Sequence, residues 1–157
     1  MKSDPVIAIA GSRKLDRGLA PRLLVRFLAG IPPASTIVLR RGIYTAPNGF
    51  ELQVAEICEL MGLSVVWAIP DTTGTKAGRE AVFARDLRMI DEADLILCFY
   101  TEEQAESDES GTQALAMKAM EHDRIVYAYA IDYEPVTVRR IGENDPDNTW
   151  SELVPTP

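Results

Sequence analysis

A chain of 157 residues, 46% hydrophobic and 25% charged, is long enough for one globular domain with a real core. It holds no run of about 18 apolar residues that would span a membrane, and its start, MKSDPVIAIAGSR, meets charge too early for a secretory signal. The net charge of −8 argues against general nucleic-acid binding, and the single histidine, His122, against a His-rich metal site or a Ser/His/Asp triad.

Taken in chain order, Val6-Ile7-Ala8-Ile9-Ala10 is a short apolar run ending at Gly11, which predicts a buried strand. A helix is expected near 18–29, with Pro21 tolerable in its first turn. Residues 36–39 predict a second strand. Phe50, Val54, Ile57 and Met61 then recur at helical spacing until Gly62 stops the helix. A third strand is expected over 64–69, closed by Pro70, and a third helix over 79–92 with Phe83, Leu87 and Ile90 on one stripe. Residues 95–99 give a fourth strand, 112–121 a fourth helix and 125–129 a fifth strand.

Apolar strands alternating with helices predict an α/β, Rossmann-like three-layer sandwich. Its mainly parallel five-stranded sheet would have the order 3-2-1-4-5. The domain would cover residues 1–132, and residues 133–157, with GENDPDNTW and a final PTP, would be an irregular C-terminal extension. In such a sheet ligands bind beyond the carboxyl ends of the strands, so the loops 11–17, 40–49, 70–78 and 100–111 are the candidate ligand loops. Charge is uneven along the chain. Residues 1–90 hold twelve Lys/Arg against eight Asp/Glu, and residues 91–157 four against sixteen. Most arginines therefore lie near the first three of those loops, unless the surface is merely uneven.

Gly11-Ser12-Arg13 follows the first strand and could let backbone approach a phosphate, add a hydroxyl and grip the anion with a guanidinium. A plain turn is the alternative. The second loop holds Arg40, Arg41, Gly42, Asn48 and Gly49, which could equally be a solvated arginine pair and a surface turn. Ser110-Gly111-Thr112 leads into a helix, whose free N–H groups can hold an anion or take Ser110 or Thr112 as an ordinary cap. Tyr44 and Tyr100 are candidates to cover a base. No metal is expected, and no cofactor either, since a GxGxxG fingerprint is missing after the first strand. Cys58 and Cys98 lie inside apolar runs rather than in a CxxC pair, as buried free thiols of a cytoplasmic protein would.

The order of these motifs resembles the SLOG superfamily, which includes the LOG phosphoribohydrolases, and more closely its small bacterial and phage members of the YspA type. The resemblance runs from residue 6 to about 130. It rests on Gly11-Ser12-Arg13, on Arg41-Gly42 with Gly49-Phe50-Glu51 in place of the family's glycine-rich loop, on Arg85-Asp86-Leu87-Arg88-Met89 followed by Ala93-Asp94, and on Ser110-Gly111-Thr112. It implies a phosphorylated nucleoside or other nucleotide-derived ligand, with phosphate on the Gly-Thr helix start, and a homodimer. The enzymatic members cleave N-glycosidic bonds of nucleoside monophosphates, pairing an arginine, matched by Arg85, with a glutamate just after Gly-Thr. Here Gln113, Ala114 and Leu115 follow Thr112. Glu51 or Asp86 would have to supply the carboxylate that an oxocarbenium-like transition state requires. The expected function is therefore ligand binding in a sensing, sequestering or carrier role, with the N-glycosidase as the alternative.

Overall fold

The computed structural model describes residues 4–12, 15, 20–41, 47, 49–71, 78–105, 111–133 and 136–150. Strands β1 (Val6–Gly11), β2 (Thr36–Arg40), β3 (Ser64–Ala68), β4 (Leu95–Thr101), β5 (Val126–Tyr133) and β6 (Val136–Asn144) alternate with helices α1 (Ala20–Leu28), α2 (Gly49–Met61), α3 (Gly78–Glu92), α4 (Glu102–Ala105) and α5 (Gly111–Glu121). One six-stranded sheet has the order β3-β2-β1-β4-β5-β6. Its first five strands run parallel, so the fold is the Rossmann-like sandwich expected from the alternating pattern, with one strand more.

The two faces of the sheet follow from period-2 alternation within each strand. Ile7 and Ile9 of β1, Ile37 and Leu39 of β2, and Leu95, Leu97 and Phe99 of β4 join one core with Leu24, Phe27 and Leu28 of α1 and Phe50, Val54 and Cys58 of α2. The intervening Ala8, Ala10, Val38, Ile96 and Cys98 face the other way, onto Met89 and Ile90 of α3 and Leu115, Ala116 and Ala119 of α5. The alanines of β1 and α5 allow close approach on this second face. Large side chains, among them the aromatic row Phe50–Phe99–Tyr129 with centroids 5.4 and 5.2 Å apart, fill the first.

Helix ends are closed locally. Gly62 takes φ of 75° after α2, while the Leu63 amide donates to the Cys58 carbonyl at 2.9 Å and the Gly62 amide to Glu59 at 3.2 Å, a paired C-terminal cap that favours glycine. Asp94 locks the start of the sheet. Its amide donates to the Val6 carbonyl at 2.7 Å and its carboxylate accepts from the Val6 amide at 2.8 Å. It is a structural residue of the turn into β4.

The segment after residue 132, expected to be irregular, instead supplies β6, paired antiparallel with β5 from Tyr133/Val136 to Val126/Asn144. The chain then turns back on Asp145. Its carboxylate accepts from the Tyr127 hydroxyl at 2.6 Å and from the amides of Thr149 and Trp150 at 3.0 and 2.9 Å, and Trp150 is buried in the first core. The described part of the extension is thereby an integral layer of the domain. A short α4 also interrupts the loop expected over 100–111, and Arg139 of β6 holds its Glu102 in a two-pronged bond at 3.1 and 2.7 Å.

Candidate functional site

The winding direction reverses between β1 and β4, and the strand ends there, with β2 alongside, form the place where such a sheet leaves a crevice. Four polar residues are almost fully removed from solvent in this region: Ser12, Glu51, Arg85 and Thr112. Buried polar groups require partners, and the partners define the site.

Arg40, the last residue of β2, is the hub. Its Nη2 donates to the Thr112 hydroxyl at 3.0 Å and its Nε to Glu51 Oε1 at 3.3 Å. The Glu51 carboxylate also accepts from the Gly11 amide and lies within the field of Arg85. A single network thus joins the ends of β1 and β2 to the starts of α2 and α5, bringing Gly11, Glu51 and Thr112 together. Arg85 closes the other side. It donates from Nη1 to the Arg41 carbonyl at 3.2 Å and from both Nε and Nη2 to Asp86 Oδ1 at 3.1 Å. The Arg41 amide donates to the Ala68 carbonyl, its guanidinium lies 5.8 Å from the Trp67 ring centroid, and its Nε is buried with no hydrogen-bond partner.

Arginine 40 was open to reading as half of a solvated pair, and the structure corrects that. In β2 it shares the face of Val38, which points to α3 and α5, so a strand-end arginine is carried inward to Thr112. The period-2 alternation from Val38 contains that signal. Glycine 11 is corrected in its reason. A Cβ there would stand 1.9 Å from Cδ1 of Phe50, so the missing side chain admits the Phe50 ring rather than a ligand. Its amide is still what meets Glu51.

Ser12 donates its amide to the Phe99 carbonyl, and its carbonyl accepts from the Leu15 amide. Gly49 is exposed at the first residue of α2, and Gly111 is the first residue of α5. Tyr100 is a packing residue of the second core, where burial pushes its hydroxyl up to about 12. Arg13, Gly42, Tyr44, Asn48 and Ser110 lie outside the described residues.

Among the described residues, the cluster carries more positive than negative charge. Arg40, Arg41 and Arg85 face two carboxylates, Glu51 and Asp86, beside the start of α5, whose first turn contains no acidic residue. Burial raises the pKa of Glu51 above its ordinary value of 4.5, against the opposing pull of Arg40, Arg85 and the Gly11 amide. The folded protein therefore binds this proton more tightly than the unfolded chain does. Stability linked to Glu51 is complete below 4.5 and is lost as pH rises through the higher folded value. Glu51→Gln keeps an acceptor for Arg40 and removes the charge. In urea titrations from pH 4.5 to 8, wild-type stability is expected to fall relative to Glu51→Gln as pH rises, and parallel curves would contradict this.

Among the described residues no group of three or more His, Cys, Asp and Glu could hold a metal ion, and no helix is long and apolar enough to cross a membrane. Compared with protein-family models, curated proteins and solved structures, the chain matches none.

Proposed function

We propose that this protein binds a phosphorylated nucleoside or a related nucleotide-derived ligand at the carboxyl ends of β1, β2 and β4. The observation that carries this reading is Arg40, a guanidinium held against Thr112 at the positive end of α5. A cation there is opposed by the helix dipole, and an incoming phosphate relieves the repulsion while taking hydrogen bonds from both. Arg41 adds a buried Nε without a partner, and Trp67 beside it an aromatic surface. The motif order shared with the SLOG superfamily supports a nucleotide over a bare anion.

Calorimetric titration with nucleoside mono- and diphosphates, ADP-ribose and inorganic phosphate tests the proposal. Binding of at least one nucleotide in the micromolar range is expected, weakened about tenfold, roughly 1.4 kcal/mol, by Thr112→Ala. Silence across the panel, or an unaltered Thr112→Ala variant, would count against it.

One observation favours a second reading. Glu51 is a buried carboxyl with a raised pKa in the field of Arg85, the environment of a proton-transferring group. As an N-glycosidase, the protein would release free base from nucleoside monophosphates, and Glu51→Gln would stop it.

A further inference from the structure

A groove on the second face of the sheet adjoins the arginine cluster. It holds about 290 Å³ between α3 and α5, close to the lower limit for a small-molecule pocket, roughly 300 Å³. Single exposed apolar side chains are ordinary. Here Phe83 of α3 and Met117 of α5, 49% and 53% exposed, line one concavity together with the buried Ile90 and Leu115. Two connections tie this groove to the strand ends. Asp86, which lines it, accepts both of its Arg85 bonds on Oδ1, and among the described residues Oδ2 accepts none. Thr112, which meets Arg40, precedes the groove residues Leu115 and Lys118 by about 5 and 9 Å along α5.

We infer that this groove takes the base of the nucleotide-derived ligand, and that the base is one bearing an amino group: adenine, guanine or cytosine. The inference rests on the phosphate site proposed above, and charge sets the direction of the ligand. Arg40, Arg41 and Arg85 gather at the strand ends, whereas the groove has two carboxylates, Asp86 and Glu121, against one ammonium, Lys118. A phosphate is drawn to the arginines and repelled from the groove, so the neutral end of the ligand lies between the helices, one ribose away. Apolar walls suit the faces of a planar ring, and Lys118 Nζ, 3.7 Å from the Phe83 ring centroid, is held beside them. The polar groups suit its edge. An ionised Asp86 only accepts, so it selects an N–H donor, while Lys118 only donates and matches a ring nitrogen or carbonyl. The one free N–H of a uracil is flanked by two carbonyl oxygens, which a carboxylate repels.

The test uses protein isotopically labelled at the methionine methyl groups, with the Met117 resonance identified from Met117→Leu. It is titrated with adenosine, guanosine, cytidine and uridine monophosphates, the unphosphorylated nucleosides, and ribose phosphate. At least one amino-bearing nucleotide is expected to move the Met117 resonance and to bind about tenfold tighter, or more, than uridine monophosphate and ribose phosphate. Ribose phosphate is expected to bind without moving that resonance. Phe83→Ala, at a half-exposed position, is expected to keep the wild-type circular dichroism spectrum and to remove most of the nucleotides' advantage over ribose phosphate. Nucleotides that bind no tighter than ribose phosphate, or that bind and leave Met117 unmoved, overturn the groove assignment while the phosphate site stands. Nucleosides that move Met117 while ribose phosphate fails to bind do the reverse. Silence from every compound overturns both.

Discussion

Gly11→Ala is expected to destabilise the protein by about 3 kcal/mol or more, at the upper end of what overpacking costs. The added Cβ would sit 1.9 Å from Cδ1 and 2.4 Å from Cε1 and Cγ of Phe50. The ring has no room to retreat, because it is fully buried and packs at 5.4 Å against Phe99, which in turn stacks on Tyr129. The end of β1 must move instead, and with it the amides that meet Glu51 and the Phe99 carbonyl. For a chain of this size the loss corresponds to a fall in Tm of roughly 6–12 °C by circular dichroism. Trimming the ring discriminates this cause from backbone strain. Phe50→Leu together with Gly11→Ala is expected to recover at least half of the loss, a coupling that residues in contact show and distant ones do not. A Gly11→Ala variant within about 0.5 kcal/mol of wild type would contradict the assignment.

The same glycine shows where sequence and structure part company. The apolar runs of β1 to β5 were legible because strands buried on both faces need uninterrupted hydrophobic residues, and the alternating helices then leave few topologies. β6 was not legible. In VTVRRIGEN, Val138 and Ile141 are only partly buried against the two cores and Thr137, Arg139 and Glu143 are exposed, so the uninterrupted burial that marks a parallel strand is missing. The candidate site divides on similar lines. Glu51 and Thr112 were visible as polar residues at helix starts and Arg85 through the family resemblance, and the structure buries all three. Arg40 was hidden by its neighbour, since two consecutive arginines in a strand point to opposite faces and composition cannot say which one turns inward. Gly11 was visible for the wrong reason, because the ring that needs its missing side chain comes from a residue 39 positions later.

Arg40→Met is expected to remove both the ligand and much of the stability, and the two losses are separable by pH. Met keeps the apolar bulk of the side chain but leaves the Glu51 carboxylate, 4% exposed, without its guanidinium. Breaking a buried pair on one side costs about 3–5 kcal/mol as long as the remaining charge stays ionised. Loss of Arg40 also removes the strongest influence lowering the Glu51 pKa, so that value rises further. The variant's deficit should accordingly grow as pH climbs above 4.5 and shrink toward it, where protonated Glu51 carries no charge to strand. Urea denaturation at pH 5 and pH 8 measures this directly. Arg40→Lys should not restore the wild-type state, because a single ammonium cannot match the fork that reaches Glu51 and Thr112 at once. Glu51→Gln in the Arg40→Met background removes the stranded charge and should abolish the pH dependence of the deficit, while leaving nucleotide binding weakened by about 100-fold or more, roughly 2.7 kcal/mol. Recovery of binding in that double variant would show that Arg40 serves only to neutralise Glu51, and the phosphate would have to be held by other groups.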